Sequence, residues 1–271
     1  MGEALPSLGV GICALNEARD LPRLLSRLLQ GVDADDRAGH VVVADGGSTD
    51  GTPEIARRMG AEVLDVGRGR GLQLRAAAQY LLDQRGPAAE HGSTGVEVML
   101  FLHADSIPRT GSITALRRAF STPSEGEEAD GAEPLRAAAM RQTIVAEGRK
   151  YRWIERAANG RARRGMVYGD SGLAVCPDLY EAAGGFPEWP LFEDVALSKA
   201  IRKICPIRLV ESATLAISPR RWQKEGVIRC TGRNVILRGL FECGVSPERL
   251  ARLYRPHSKG RDSVNGGPSG S

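Results

Sequence analysis

The sequence predicts an α/β protein built on a mostly parallel, Rossmann-like sheet flanked by helices. Three observations carry that expectation. Short apolar, β-branched runs alternate with helical stripes through the first 120 residues. The segments between the runs are long enough to form the crossover helices that parallel strands require. Glycines and polar groups gather just after each apolar run, the edge at which an open parallel sheet binds ligands. The chain has 271 residues, 42% hydrophobic and 26% charged, which suits one large α/β domain.

The elements follow in order. Leu8–Leu15 is a short apolar run and reads as a buried first strand. Leucines at 21, 24, 25, 28 and 29 form a helical stripe over Leu21–Leu29. His40–Ala44 is the second strand, Thr52–Met59 a helix, and Glu62–Val66 the third strand. Leu72–Leu82 is helical, Val96–Leu102 is the fourth strand, and Ser112–Phe120 is the next helix. The pattern then breaks. Ser121–Glu133 holds five acids, no base and no large apolar residue, so residues 121–136 are expected to be an exposed, disordered acidic loop. Beyond it, Ala137–Val145 and Arg208–Ile217 read as strands, and Gly169–Cys176 as a short one. Glu147–Arg164, Val195–Lys203, Gly226–Cys243 and Pro247–Tyr254 read as helices. Residues 256–271 have the composition of a disordered tail, leaving one domain over 1–255.

Composition narrows the function classes. A formal charge of +4 is too small to imply a nucleic-acid partner. The five cysteines, at 13, 176, 205, 230 and 243, form no C-x-x-C pair, which suits free thiols in a reducing, cytoplasmic compartment. The amino terminus lacks the basic region of a secretory signal, and no apolar run approaches the ~20 residues needed to span a bilayer. Between Arg149 and Arg164 lie seven basic residues and one acid. That run allows weak peripheral contact with an anionic membrane surface, although a solvated helix face is the simpler reading. Ile228–Val245 is apolar enough to touch a membrane, but Arg233 and Arg238 interrupt it, so core packing is the expectation.

Four successive strand ends carry the candidate chemistry. The first ends in Ala14-Leu15-Asn16-Glu17 and the second in Asp45-Gly46-Gly47-Ser48-Thr49-Asp50. The third ends in Gly67-Arg68-Gly69-Arg70-Gly71 and the fourth in His103-Ala104-Asp105. Each alone is ordinary, since Asp-Gly-Gly makes turns and Asn-Glu caps helices. Together they place polar groups along a single edge of one sheet. A dinucleotide-binding oxidoreductase is disfavoured, because the third glycine after strand three falls one position short of G-x-G-x-x-G. A sugar-phosphate nucleotidylyltransferase would want a glycine-rich basic loop where Asn16-Glu17 stands.

Read as a set, ALNE, ADGGSTDGT, FLHADS and FEDVALSKAIR resemble the family 2 glycosyltransferases, which have the GT-A fold. The resemblance runs from Leu8 to Tyr254. GRGRGLQLRAAA, YGDSGLAV, GGFPEWPLFEDV and SPRRW are similar to a small bacterial-type subgroup that reads RGRxxQxNxGA, YGDQG, GFPxxPLxED and SxRRW at these places. The chain departs from the pattern at Gly46, where the family often has a second acid, and at Arg75 and Ala77, where the subgroup has Asn and Gly.

The resemblance implies an inverting, metal-assisted transfer of a sugar from a nucleotide diphosphate, UDP-linked, to an acceptor hydroxyl. Residues 8–120 would form the nucleotide-sugar half and 137–255 the acceptor half. Ala14, Leu15, Asn16, Glu17 and Asp45 match the nucleoside-binding positions, where carboxylates accept from base N–H and ribose hydroxyls. Arg68, Arg70 and Gln73 lie beside the diphosphate. His103-Ala104-Asp105 takes the place of the family's D-x-D on the donor side, with Asp105 as a metal ligand for Mn²⁺ or Mg²⁺ and His103 as a second ligand, a ribose contact or a group behind the ligands. Asp194, in an E-D pair opening a helix, would be the general base. Gly169, Asp170, Trp189, Glu193, Arg221 and Trp222 would face the acceptor, whose identity the resemblance leaves unnamed along with the oligomeric state.

Overall fold

A computed structural model describes residues 5–85, 95–121 and 134–253. It contains eight strands: β1 (Leu8–Ala14), β2 (His40–Asp45), β3 (Glu62–Asp65), β4 (Val98–His103), β5 (Ser106–Pro108), β6 (Ala137–Ile144), β7 (Leu173–Val175) and β8 (Arg208–Ile217). They form one sheet in the order β3-β2-β1-β4-β7-β6-β8-β5. The first four are mutually parallel, and β6 pairs parallel with β8. β7 runs antiparallel to both β4 and β6, and β5 antiparallel to β8. The sheet is therefore mostly parallel, as the sequence predicts, with a reversal in the middle.

The helices are α1 (Leu21–Gln30), α2 (Thr52–Arg58), α3 (Arg70–Asp83), α4 (Ser112–Phe120), α5 (Arg149–Ala162), α6 (Pro177–Ala182), α7 (Glu193–Arg202), α8 (Arg220–Glu225), α9 (Val227–Glu242) and α10 (Pro247–Leu253). β5, α6 and α8 were not legible in the pattern. All three are short, below the length at which periodicity separates from noise. The expected strand over Gly169–Cys176 divides into a 3-10 turn, Gly169–Ser171, followed by β7. The expected burial of the helix over 226–243 also needs correction. α9 buries only Cys230 and Leu237, because its inner side faces a cleft rather than a sheet. Residues 122–133 of the acidic segment and the tail from 254 onward lie outside the described residues.

Two apolar layers sandwich the sheet. Val10 and Ile12 of β1 pack with Leu21, Leu24, Leu25 and Leu28 of α1 on one side. On the other side α3 lies against β1 with Leu74, Ala77 and Leu81. β1 offers glycine to α3: a Cβ on Gly9 would sit 2.7 Å from Leu81, and one on Gly11 3.1 Å from Ala77. The Gly-x-Gly in a buried strand is thus a seat for a closely packed helix. That closeness carries the amino end of α3, with Arg70, toward the carboxyl ends of the parallel strands.

A second device holds the helix layer. Asp36, in the loop after α1, is fully buried. Its carboxylate accepts from Gly111 N at 2.8 Å and Ile113 N at 3.1 Å at the amino end of α4, and it pairs with Arg27. Arg27 also donates to the carbonyls of Pro108 at 3.1 Å and Arg109 at 3.0 Å. Burial alone would raise the Asp36 carboxyl, but the Gly111 and Arg27 hydrogen bonds outweigh it and hold the group below the usual range.

Candidate functional site

Register explains why the strand-end residues converge. Ala14 pairs with Asp45 and Cys13 with His103, so the parallel strands stop nearly level. The loops beyond are then knitted together. Asn16 has φ +56°, a left-handed conformation that Asn tolerates better than most residues. That turn lets its Oδ1 accept from Thr49 N at 2.8 Å while its own N–H donates to Ser48 Oγ at 2.8 Å. Glu17 N donates to Thr52 Oγ1 at 2.9 Å. Asp45 accepts from the N–H groups of Gly47 at 2.9 Å and Ser48 at 2.8 Å and from the Ser48 hydroxyl at 2.5 Å. Three of its lone-pair positions are thereby occupied by its own loop.

Gln73 has a comparable task. It is buried, and its amide donates to the carbonyls of Ala14 at 2.7 Å and Ala44 at 2.8 Å, bracing the ends of β1 and β2. Its amide nitrogen faces those carbonyls, not a ligand. Ala104 points into the core, Leu15 is half-buried, and Arg68 is exposed and outside the cleft described below. Gly71 serves close packing as well. A Cβ there would lie 2.2 Å from the Pro187 carbonyl oxygen, and its N–H donates to the Trp189 carbonyl at 3.0 Å. Gly71→Ala should lower stability by roughly 1–3 kcal/mol, because backbone must shift to admit the methyl. A melting curve matching the native protein's would show that the 187–189 segment yields freely.

A cleft of about 1000 Å³, including its mouth, opens where these loops meet the carboxyl-terminal half. Arg70, His103 and Asp105 line it from the sheet side. Tyr168, Gly169, Asp170, Asp194, Arg221 and Trp222 line it from the other. Phe192 is the amino cap of α7 with φ +65°, and this turn aims Asp194 into the cleft from the first helical turn. Asp194 Oδ2 accepts from Gly169 N at 2.5 Å and Oδ1 from Val195 N at 2.6 Å. The carboxylate is thus fixed on two sides, with the rest of its oxygen surface toward the cleft. The neighbouring Glu193 is fully buried, and its Oε1 lies 3.2 Å from Arg70 Nε. Burial pushes the Glu193 carboxyl up to about 7 against the pull of Arg70. The pair joins the helix that carries Asp194 to the helix that carries Arg70.

Burial, with the Arg70 charge adding, pushes the His103 imidazole down to about 4, so the ring is neutral near pH 7. Nδ1 lies 3.9 Å from Cys13 Sγ. Nε2 is sealed from solvent, has no hydrogen-bond partner among the described residues, and lies where a Cβ on Gly169 would come within 2.2 Å. His103 nonetheless lines the cleft through its ring, with Nε2 turned toward the Gly169 backbone. The glycine of YGD is there because the turn rests on the His103 ring.

The sequence reading missed several cleft residues, three long polar ones among them, and a clamp. Tyr168, Asn234 and Arg238 line the cleft. Tyr168 is held between Arg161 and Arg238, at 4.5 and 5.4 Å from its ring centre. Arg220 donates to Asp20 Oδ2 at 2.8 Å and to Glu17 Oε2 at 3.4 Å, fastening α8 across the first loop. Tyr168 and Arg220 belong to the YGD and SPRRW strings, so the motifs themselves were the available signal. Trp189, expected at the acceptor, packs edge-on to Phe241 at 6.1 Å and does not line the cleft, which corrects that placement.

A cation could be held here alongside a substrate diphosphate. Burial pushes the Glu17 carboxyl up to about 7, with the nearby Asp105 carboxylate adding and Arg220 opposing. Among the described residues no group of three or more His, Cys, Asp or Glu could hold a metal by itself. A Mg²⁺-like ion bound through one or two carboxylates plus substrate phosphates needs no such cage.

Comparison with known proteins agrees with this fold. Residues 9–126 match the family model described as Glycosyl transferase family 2. A search of the curated proteins finds no match to this chain. Among solved structures, the chain is similar to the mannosyltransferase PcManGT from Pyrobaculum calidifontis in complex with GDP-Man and Mn²⁺. The TM-score is 0.53 at 19% identity, covering 79% of this chain and 57% of that one. It is similar to glucosyl-3-phosphoglycerate synthase from Mycobacterium tuberculosis in complex with Mn²⁺, UDP and glucosyl-3-phosphoglycerate. There the TM-score is 0.53 at 19% identity, over 89% and 81% of the two chains. TarS 1–349 from S. aureus with UDP-GlcNAc gives a TM-score of 0.55 at 16% identity, over 78% and 58%. The chain thus spans little more than half the length of two of these structures. At such identities the likeness establishes the fold, which is the GT-A fold.

Proposed function

From a GT-A fold whose residues 9–126 match the family 2 glycosyl transferases, we propose that this protein is an inverting glycosyltransferase. It moves a sugar from a nucleotide diphosphate, UDP-linked, to an acceptor hydroxyl. One observation carries the reading: Arg70, His103 and Asp105 of the family-matched half meet Asp170, Asp194, Arg221 and Trp222 of the other half around a single cleft. Donor groups and a fixed carboxylate face each other across a space that can hold both substrates. Two of the three solved neighbours hold a uridine compound and one GDP-Man, which supports a nucleotide-sugar donor and favours uridine.

The division of labour follows the halves, 8–120 for the donor and 137–255 for the acceptor. Asn16 and Glu17, on the loop that Ser48 and Thr52 brace, receive the nucleoside. Arg70 faces the diphosphate with its guanidinium fork, oriented from behind by Glu193. Asp105 would hold Mn²⁺ or Mg²⁺, and such an ion supplies charge stabilisation to a departing diphosphate. The acceptor lies by Asp170, Arg221 and Trp222. Asp194 takes the acceptor's hydroxyl proton as the oxygen bonds to the anomeric carbon. The bond from that carbon to the diphosphate oxygen breaks, and the electron pair leaves with the diphosphate toward Arg70. Attack from the face opposite the leaving group inverts the anomeric centre.

The cation assignment has a direct check. UDP and GDP titrated calorimetrically should bind at least about tenfold more weakly in chelator than with Mn²⁺, since a bridging cation is worth several kcal/mol. Asp105→Ala should abolish that difference while leaving residual binding through Arg70. Affinity that ignores both chelator and Asp105→Ala would remove the cation from the site.

A further inference from the structure

α9 has two unlike faces. Toward the protein, Cys230, Asn234, Leu237 and Arg238 form part of the cleft wall. Away from it, Ile228 is 90% exposed, Val235 65%, Ile236 63% and Leu240 36%. At roughly 100° per helical residue, these four fall on one arc of about 140°. Gly232 and Gly239 lie between them and offer no side chain, and Arg229 is the one long polar side chain on the arc. Isolated surface hydrophobics are unremarkable, but a continuous apolar helix face in water marks an interaction surface.

Charge indicates what meets this face. Val227–Phe241 carries Arg229, Arg233 and Arg238 and no acid, and Arg229 is exposed on the apolar arc itself. Residues 220–253 hold eight Arg or Lys and three Glu, a surplus of five, against a surplus of four for the whole chain. α5 adds Trp153, 62% exposed, along a helix that also carries exposed Arg149, Lys150, Arg152 and Arg156. Tyr168, gripped by Arg161 of α5 and Arg238 of α9, ties the two basic helices together beside the cleft. A second copy of this chain suits the face poorly, because a two-fold contact would set like charge against like. Among the described residues no helix is long and apolar enough to cross a membrane.

We propose that the outer face of α9 docks on an anionic membrane surface. The helix lies in the plane of the interface, with Ile228, Val235, Ile236 and Leu240 among the acyl boundary and Arg229 against the headgroups. An apolar face set in a basic field is the composition that interfacial helices use, and each basic residue near such a surface adds to the attraction. The arrangement makes α9 a single-helix wall between the bilayer and the cleft.

Flotation tests this without reference to catalysis. The full chain is mixed with vesicles of phosphatidylcholine alone, or of phosphatidylcholine with phosphatidylglycerol, and floated through a density gradient. Recovery with the anionic vesicles, falling in neutral vesicles and in high salt, is the expected result. The double variant I228D/I236D should lose at least about tenfold in vesicle affinity, since two apolar anchors become charged. Both positions are exposed and outside the cleft lining, so its melting temperature and UDP titration should match the native protein's and separate lost docking from lost fold. Equal recovery of variant and native protein, or equal binding to neutral and anionic vesicles, would overturn the proposal. So would native protein that ignores vesicles and forms a dimer by light scattering that I228D/I236D abolishes, for that would give the face to a second copy.

Discussion

Asp194→Asn should leave nucleotide diphosphate binding within a few fold and cut turnover by roughly 10²–10⁴, the usual worth of a general base. The substitution is close to isosteric. An Asn carbonyl oxygen can still accept from Gly169 N, which lies 2.5 Å from the native carboxylate. What disappears is the site that accepts the acceptor's proton. Arg70, Asp105 and the braced loops at Asn16 and Glu17 are untouched, so the donor should still bind. Glu193→Gln probes the same helix by another route. It removes the charge that orients Arg70 and should weaken donor binding more than it slows the chemical step. Turnover measured beside UDP affinity for both variants separates these effects. Near-native turnover in Asp194→Asn would move the base elsewhere, with Asp170 across the same cleft the next candidate.

Asp36→Ala should destabilise the fold by about 3–5 kcal/mol, the cost of leaving a buried charge without its partner. Arg27, with only 14% of its side chain exposed, would lose its carboxylate, and the N–H groups of Gly111 and Ile113 would lose their acceptor. The pH dependence follows from the direction of the shift. The folded-state pKa is lowered. The contribution is therefore fully present above the ordinary carboxyl pKa of about 3.9 and is lost as pH falls through the folded value. Urea denaturation of native and variant proteins should show a large gap at neutral pH that closes on acidification. A gap under about 1 kcal/mol at neutral pH would return Asp36 to the class of ordinary surface-loop acids. Should the alanine variant fail to fold, Asp36→Asn, which keeps the acceptor and loses the charge, measures the electrostatic part alone.

The amino-acid pattern by itself determined the framework. Four apolar runs at crossover spacing specified the parallel strands β1 to β4, since a buried strand and an amphipathic helix each write their period into adjacent residues. The same pattern placed Asn16, Asp45, Arg70 and Asp105 at strand ends on one edge, and the E-D pair at the opening of α7. What only the tertiary structure decided lies in contacts between distant residues. Gln73 was found to brace two strands, through Ala14 and Ala44, which stand 59 and 29 residues away. The Gly169 turn was found to rest on the His103 ring, 66 residues away in sequence. Trp189 turned toward Phe241, and Arg220 reached 200 residues back to Asp20. The exposed face of α9 was equally illegible. A helix that walls a cleft buries one narrow stripe, and its composition resembles that of a core helix until its neighbours are known. Periodicity is local and survives in one dimension, whereas the hydrogen-bond partner of a buried polar group and the covering of an apolar face are set by whichever distant segment the fold brings there.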